Sequence, residues 1–115
     1  MNKEYYKTVD KIKLELVKLI KHETRVSLVE IENYFDEINF NYKGSMIICR
    51  NNDNTIIWDG WNSQACRIIH ELIESNLISM KPTDELIYYI GGKILTLPVY
   101  RGDRPFKQWL PVEFN

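Results

Sequence analysis

Cys66 and His70 stand four residues apart in "CRIIH", the spacing at which two side chains meet on one face of a helix. A thiol beside an imidazole is the smallest arrangement that yields an activated nucleophile, the ring taking the proton and leaving a thiolate. Asp59 is a conceivable third member that would orient the ring, but no glycine-shaped oxyanion turn accompanies the pair. A small buried cysteine near a partly exposed histidine is the simpler account. Adding His22 and Cys49 gives two cysteines and two histidines, the ligand set of a structural zinc site. The spacing argues against zinc: Cys49 and Cys66 are seventeen residues apart and His22 precedes both, so the short ligand pairings of a zinc finger are missing. No phosphate-cradling glycine loop, dinucleotide fingerprint or metalloprotease motif occurs. The expectation is a non-enzymatic chain with no metal and no cofactor.

Binding residues are easier to find. Lys7, Lys11, Lys18 and Lys21 recur along the first apolar-periodic segment, and Arg101, Arg104 and Lys107 crowd the C-terminal tail. Both groups are candidates for phosphate contact, although Glu4, Asp10, Glu15 and Glu23 lace the first group as on an ordinary solvated face. The formal charge of −1 argues against a strong non-specific polyanion binder. Charge is nonetheless segregated: residues 1–25 carry seven Lys/Arg against four acids, whereas residues 26–39 carry Glu30, Glu32, Asp36 and Glu37 and no base. Trp58, Trp61 and Trp109 offer large apolar area and are candidate partner-binding anchors, or else they close the core. The "RGD" at 101–103 is too short a match to carry an adhesion reading.

Positioning these residues requires a fold, and the apolar pattern sketches one. With 115 residues, 44% hydrophobic and 27% charged, the chain is one domain, 1–115, whose tail from about 101 is expected to pack back on the body. Tyr5, Val9, Ile12, Leu16, Leu19 and Ile20 predict an amphipathic helix over 3–23. Ser27 followed by Glu30 is a capping box opening a second helix to about Ile38, which buries Leu28, Ile31, Phe35 and Ile38. "SMIICR" and "TIIWDG", separated by "NNDN", predict a hairpin. Asn62 or Ser63 then caps a third helix burying Ala65, Ile68, Ile69, Leu72 and Ile73 and ending near Asn76, a residue suited to a left-handed cap. A short strand is expected over Leu77–Met80. In "LIYYIGGKILTLP" the glycine pair predicts a turn, with Leu86, Tyr88 and Ile90 on the face shared by Lys93, Leu95 and Leu97. The N-terminus has no signal-like apolar core and no window approaches the ~18 apolar residues of a membrane span, so a cytoplasmic protein without membrane contact is expected.

Helix, capped helix, strand pair, helix and glycine-turned hairpin together resemble a winged helix-turn-helix domain. The matching segments are Ser27–Ile38 as second helix, Asn62–Ser75 as recognition helix and Leu86–Leu97 as wing, with an inserted hairpin between the second and third helices. The resemblance implies an α+β fold of three helices and two hairpins that binds DNA, with Gln64 and Arg67 nearest to bases and Glu71 and Glu74 beside them. It also implies a possible homodimer on a two-fold operator. "IIWDGWN" and "WLPV" are similar to stretches of small proteins of Gram-positive bacteria and their prophages, which implies a regulatory or host-interaction protein. The alternative expectation is a protein-binding module of the same fold, docking through the acidic second helix or a tryptophan-bearing face.

Overall fold

A computed structural model describes residues 8–115 of the chain. Thr8 opens helix α1 (Val9–His22): its hydroxyl accepts from the Lys11 amide, and Ile12, Leu16 and Ile20, four apart, form the buried stripe. Lys7, Tyr5 and the rest of the helix expected from residue 3 lie outside the described residues. Helix α2 (Leu28–Glu37) starts on the expected capping box, with the Ser27 amide and hydroxyl both donating to Glu30 Oε1 and the Val29 amide donating to Ser27 Oγ.

Strands β1 (Lys43–Arg50) and β2 (Asn52–Trp61) form the first hairpin, longer than expected and turned at Asn51, whose φ is 69°. Helix α3 (Ser63–Glu74) is capped by the Asn62 side chain, which accepts from the Ala65 amide, and Asn76 takes a left-handed φ of 60° just beyond it. The strand expected at Leu77–Met80 is displaced: Ile78 is buried, and β3 (Met80–Pro82) begins where the expected strand ends. Pro82 is tolerated within it because, among the described residues, β3 pairs on one side alone and needs no donor on the other.

The second hairpin is absent. Residues 86–91 form a short helix, α4 (Leu86–Gly91), and Gly92, at φ 87°, is its left-handed cap, its amide donating to the carbonyls of Tyr88 and Tyr89. The glycine pair therefore ends a helix rather than turning a strand, and there is no wing at 86–97. Asp84 Oδ1 helps to start the turn by accepting from the Leu86 amide. Tyr88 is the one side chain of α4 that is fully buried, its hydroxyl donating to the Val112 carbonyl and accepting from the Leu28 amide, while Leu86, Tyr89 and Ile90 are exposed. Close approach of α4 to α2 depends on Gly91, where a Cβ would sit 3.0 Å from a Val29 methyl.

Two further strands come from the tail. Strand β4 (Gln108–Trp109) lies parallel to β2, and β5 (Val112–Phe114) pairs antiparallel with β3, so the sheets read β1-β2-β4 and β3-β5. Phe114 also bridges to Val26. The described residues thus hold four helices and five strands of an α+β fold. The core joins the apolar faces of α1, α2 and α3 to β2, Tyr88 and the buried run 108–114.

An extra residue in β2 carries much of this arrangement. Trp58 and Trp61 are three apart, which in a regular strand puts them on opposite faces. Met46 pairs with Trp61 and Ile47 with Asp59, so Gly60 is the unpaired residue of a bulge, at φ 91°, and both indoles are brought to one side. Gly44 serves a different purpose, since a Cβ there would lie 2.7 Å from the Asn62 Cα. Gly60→Ala should cost about 1–2 kcal/mol through backbone strain alone, because nothing lies within 4 Å of the added methyl. Gly44→Ala should cost about 1–3 kcal/mol by forcing β1 off the α3 cap. Urea denaturation of each variant reads both losses, and a neutral Gly44→Ala would remove the proposed close approach.

Candidate functional site

Of the residues singled out from the sequence, Cys49, Cys66, Arg67 and His70 line one groove, whereas the lysines of α1, the cations of the tail and the tryptophans lie elsewhere. Lys11, Lys18 and Lys21 are exposed along α1, and among the described residues none of them forms a salt bridge. Arg101, Arg104 and Lys107 lie instead on the loop leading to β4, beside the tip of the first hairpin: Lys107 Nζ donates to the Asp53 carbonyl and Asn54 Nδ2 donates to the Arg104 carbonyl. The 101–103 segment is held from inside, since the buried Gln108 side chain accepts from the Arg101 amide and donates to the Gly102 carbonyl. Gln64 and Arg67 are exposed on α3, and Glu71 of the same helix is ion-paired to Lys13 of α1, which holds its carboxyl below the usual range.

All three tryptophans belong to the core: Trp58, Trp61 and Trp109 are 3%, 0% and 1% exposed. They are not available as surface anchors, because two of the indoles are turned inward to a buried acid. Trp109 packs edge-on to Tyr88 at 5.2 Å, and its Nε1 has no hydrogen-bond partner among the described residues. Cys66 and His70 make no hydrogen bond to each other among the described residues. Burial pushes the Cys66 thiol up, away from the thiolate that a nucleophile needs, while His70 is exposed with Glu74 at 4.0 Å. Cys49 is exposed on β1. His22 closes the last turn of α1, and no cluster of three metal-ligating side chains occurs among the described residues.

The second helix is less acidic on its surface than its sequence suggests. Glu30 is occupied by the capping box, and Glu32 is 5% exposed, leaving Asp36 and Glu37 as its exposed acids. Glu32 Oε2 accepts from the Nε1 of both Trp58 and Trp61 at 2.8 Å, and Oε1 accepts from Lys93 Nζ at 2.5 Å. A sequence signal for this burial exists: Leu28, Ile31, Glu32 and Phe35 share one helical stripe, so the acid sits among core positions. The bond to Glu32 raises the Lys93 pKa above its ordinary 10.5.

What the sequence reading missed is a groove of 540 Å³ on the surface between β1 and α3. Consecutive residues of β1, Met46 to Arg50, line one wall, and Ser63, Cys66, Arg67, Ile69, His70 and Ile73 of α3 line the other. Leu28, Ile57, Met80 and Phe114 complete the lining. Met46 and Ile47 are 45% and 54% exposed, an unusual state for apolar residues of a strand. The charged groups in this lining are Arg50 and Arg67, with no carboxylate among them. Neither arginine is tied up in a salt bridge among the described residues. Ile47 also lines a smaller hollow of 340 Å³ with Ile56, Asp59, Ile94, Leu95, Thr96, Leu97 and Lys107. The signal in the sequence was the apolar run "SMIIC": a strand with one solvated face should alternate, and this one does not.

Chemically, the groove offers apolar area and two arginine side chains, and burial holds the Cys66 thiol away from its thiolate form. The position of the groove rests on the Glu32 cluster, which pins β2 to α2. Glu32→Leu should lose about 2–4 kcal/mol, because two buried indole donors and a lysine lose their acceptor. Wild type should also lose stability as pH rises above about 10.5: a raised folded pKa means that the Lys93 contribution is complete below the unfolded value and disappears as the folded value is passed. Urea midpoints measured from pH 8 to 11 should fall more steeply for wild type than for Glu32→Leu. Parallel slopes would show that Lys93 contributes nothing.

No protein-family model, curated protein or solved structure matches the chain.

Proposed function

We propose that the chain is a non-enzymatic protein-interaction module that holds a segment of a partner protein in the groove between β1 and α3. The observation that carries this reading is an exposed apolar wall, Met46 and Ile47, in a groove that also holds Arg50 and Arg67, neither of them in a salt bridge among the described residues. Solvating so much apolar strand surface is unfavourable by roughly 25 cal/mol per Å², and a partner removes that cost. A regulatory or host-interaction role in a bacterial or prophage setting, inside the cell, fits such a module.

A second reading, DNA binding, is favoured by one observation: Lys11, Lys18 and Lys21 are exposed along α1, and Gln64 and Arg67 are exposed on α3. On that reading the winged-helix likeness rests on α1, α2 and α3 with the β1–β2 hairpin between them, since the segment assigned to the wing is helical. Glu74 on the exposed face of α3 and the overall charge of −1 weigh against it.

Displayed random peptides selected against the immobilised chain should include binders whose affinity falls at least tenfold in Met46→Glu and stays within threefold in Lys18→Glu. Anisotropy of a mixed-sequence duplex should show no binding at physiological salt. Duplex binding that weakens steeply with salt and is abolished by reversing Lys11, Lys18 and Lys21 would replace the module by the DNA reading.

A further inference from the structure

We infer that the partner segment is an extended, acidic peptide that adds to the outer edge of β1 as an extra strand. This rests on the interaction-module reading and states its mode and chemistry. Among the described residues, strand β1 is the edge of its sheet, with β2 on one side and no strand on the other. Among the described residues, no hydrogen bond other than those of the β1–β2 ladder involves the backbone of residues 44–50. The amides and carbonyls of that stretch that face outward therefore have no chain partner among the described residues.

Natural edges are blunted by charge, proline or bulges. Here the charges, Lys43 and Arg50, stand at the two ends, and the intervening "GSMIIC" carries none. Bulges are present, but from Met46 to Arg50 the extra residues, Gly60 and Ile57 among them, all belong to β2. The outer edge of β1 stays continuous over these five residues.

The two hollows give such a strand its side-chain sites. Side chains of an added strand alternate between the faces of the sheet. Ile47 lines both the large groove and the smaller hollow with Ile56 and Leu97, so the edge of β1 runs between them. Successive peptide residues would fall alternately toward one hollow and the other, the division of labour by which strand addition combines backbone affinity with side-chain specificity.

Charge selects the occupant. Arg50 and Arg67 line the groove and no acid does, which favours carboxylates on the peptide. A second copy of the chain fits poorly. Its β1 would bring Lys43 and Arg50, and no acid, to a groove already lined by Arg50 and Arg67.

The test uses the full chain and synthetic versions of peptides recovered by display whose binding is weakened by Met46→Glu. They should carry apolar residues at alternate positions together with Asp, Glu or a free terminal carboxylate. N-methylation along the peptide should lower affinity at least tenfold at alternate residues of one parity and little at the other. Arg50→Glu and Arg67→Glu, both at exposed positions, should each weaken binding at least tenfold with an unchanged circular-dichroism spectrum. Groove-dependent peptides that are helical, prefer basic residues or tolerate N-methylation throughout would overturn strand addition while leaving the interaction module standing. Failure to recover any groove-dependent peptide would overturn both. Dimerisation of the chain alone, seen by sedimentation and lost in Ile47→Lys, would assign the edge to a second copy.

Discussion

The Glu32 carboxylate holds this fold at one point where three segments meet. An acid removed from water must be matched by donors, and each indole has a single N–H to give. Two of them, on Trp58 and Trp61, come from β2, and the third donor, Lys93, follows directly on the glycine cap of α4. Neither tryptophan could share this acceptor in a regular strand. The bulge at Gly60, the burial of Glu32 on the apolar stripe of α2 and the end of α4 at Gly92 are consequently parts of one solution to one electrostatic problem.

A second set of ties closes the opposite side. Tyr88 links α4 to the start of α2 and to β5 by its hydroxyl. Glu113, on β5, accepts from Thr83 Oγ1 and Arg25 Nε, with Lys81 nearby. These donors, Thr83 foremost, hold its carboxyl below the usual carboxylate range. The tail is therefore an integral layer rather than a cover: residues 108–114 are buried, and they supply a strand to each sheet.

Legibility in the sequence followed how local the determinant was. The Ser27–Glu30 capping box, the Asn62 cap, the turn at Asn51 and the left-handed Asn76 are each decided within a few residues, and each is where the side-chain chemistry puts it. The segment 86–97 misled because a helix of one and a half turns shows no periodicity, and a glycine pair serves a helix cap as well as a strand turn. Whether those glycines end a helix is settled by Tyr88 reaching Val112, a contact across 24 residues. The groove was hidden for the same reason: β1 and α3 are separated by a whole strand in sequence, and only the hairpin sets them side by side. Trp58, Trp61 and Trp109 illustrate the converse, since residue type alone does not distinguish an interface anchor from a core ring.

Burial of all three indoles bears on how this protein will look in a spectrometer. Trp58 and Trp61 share an anionic acceptor, and Trp109 lies edge-on to Tyr88 and tilted against Trp58, at 5.2 and 6.4 Å between ring centres. None of them lines the groove beside β1. Intrinsic emission will accordingly report the integrity of the interior and stay nearly silent when the surface is occupied. The thiols are the natural optical handles for that surface, because Cys49 and Cys66, the only two in the chain, both line it.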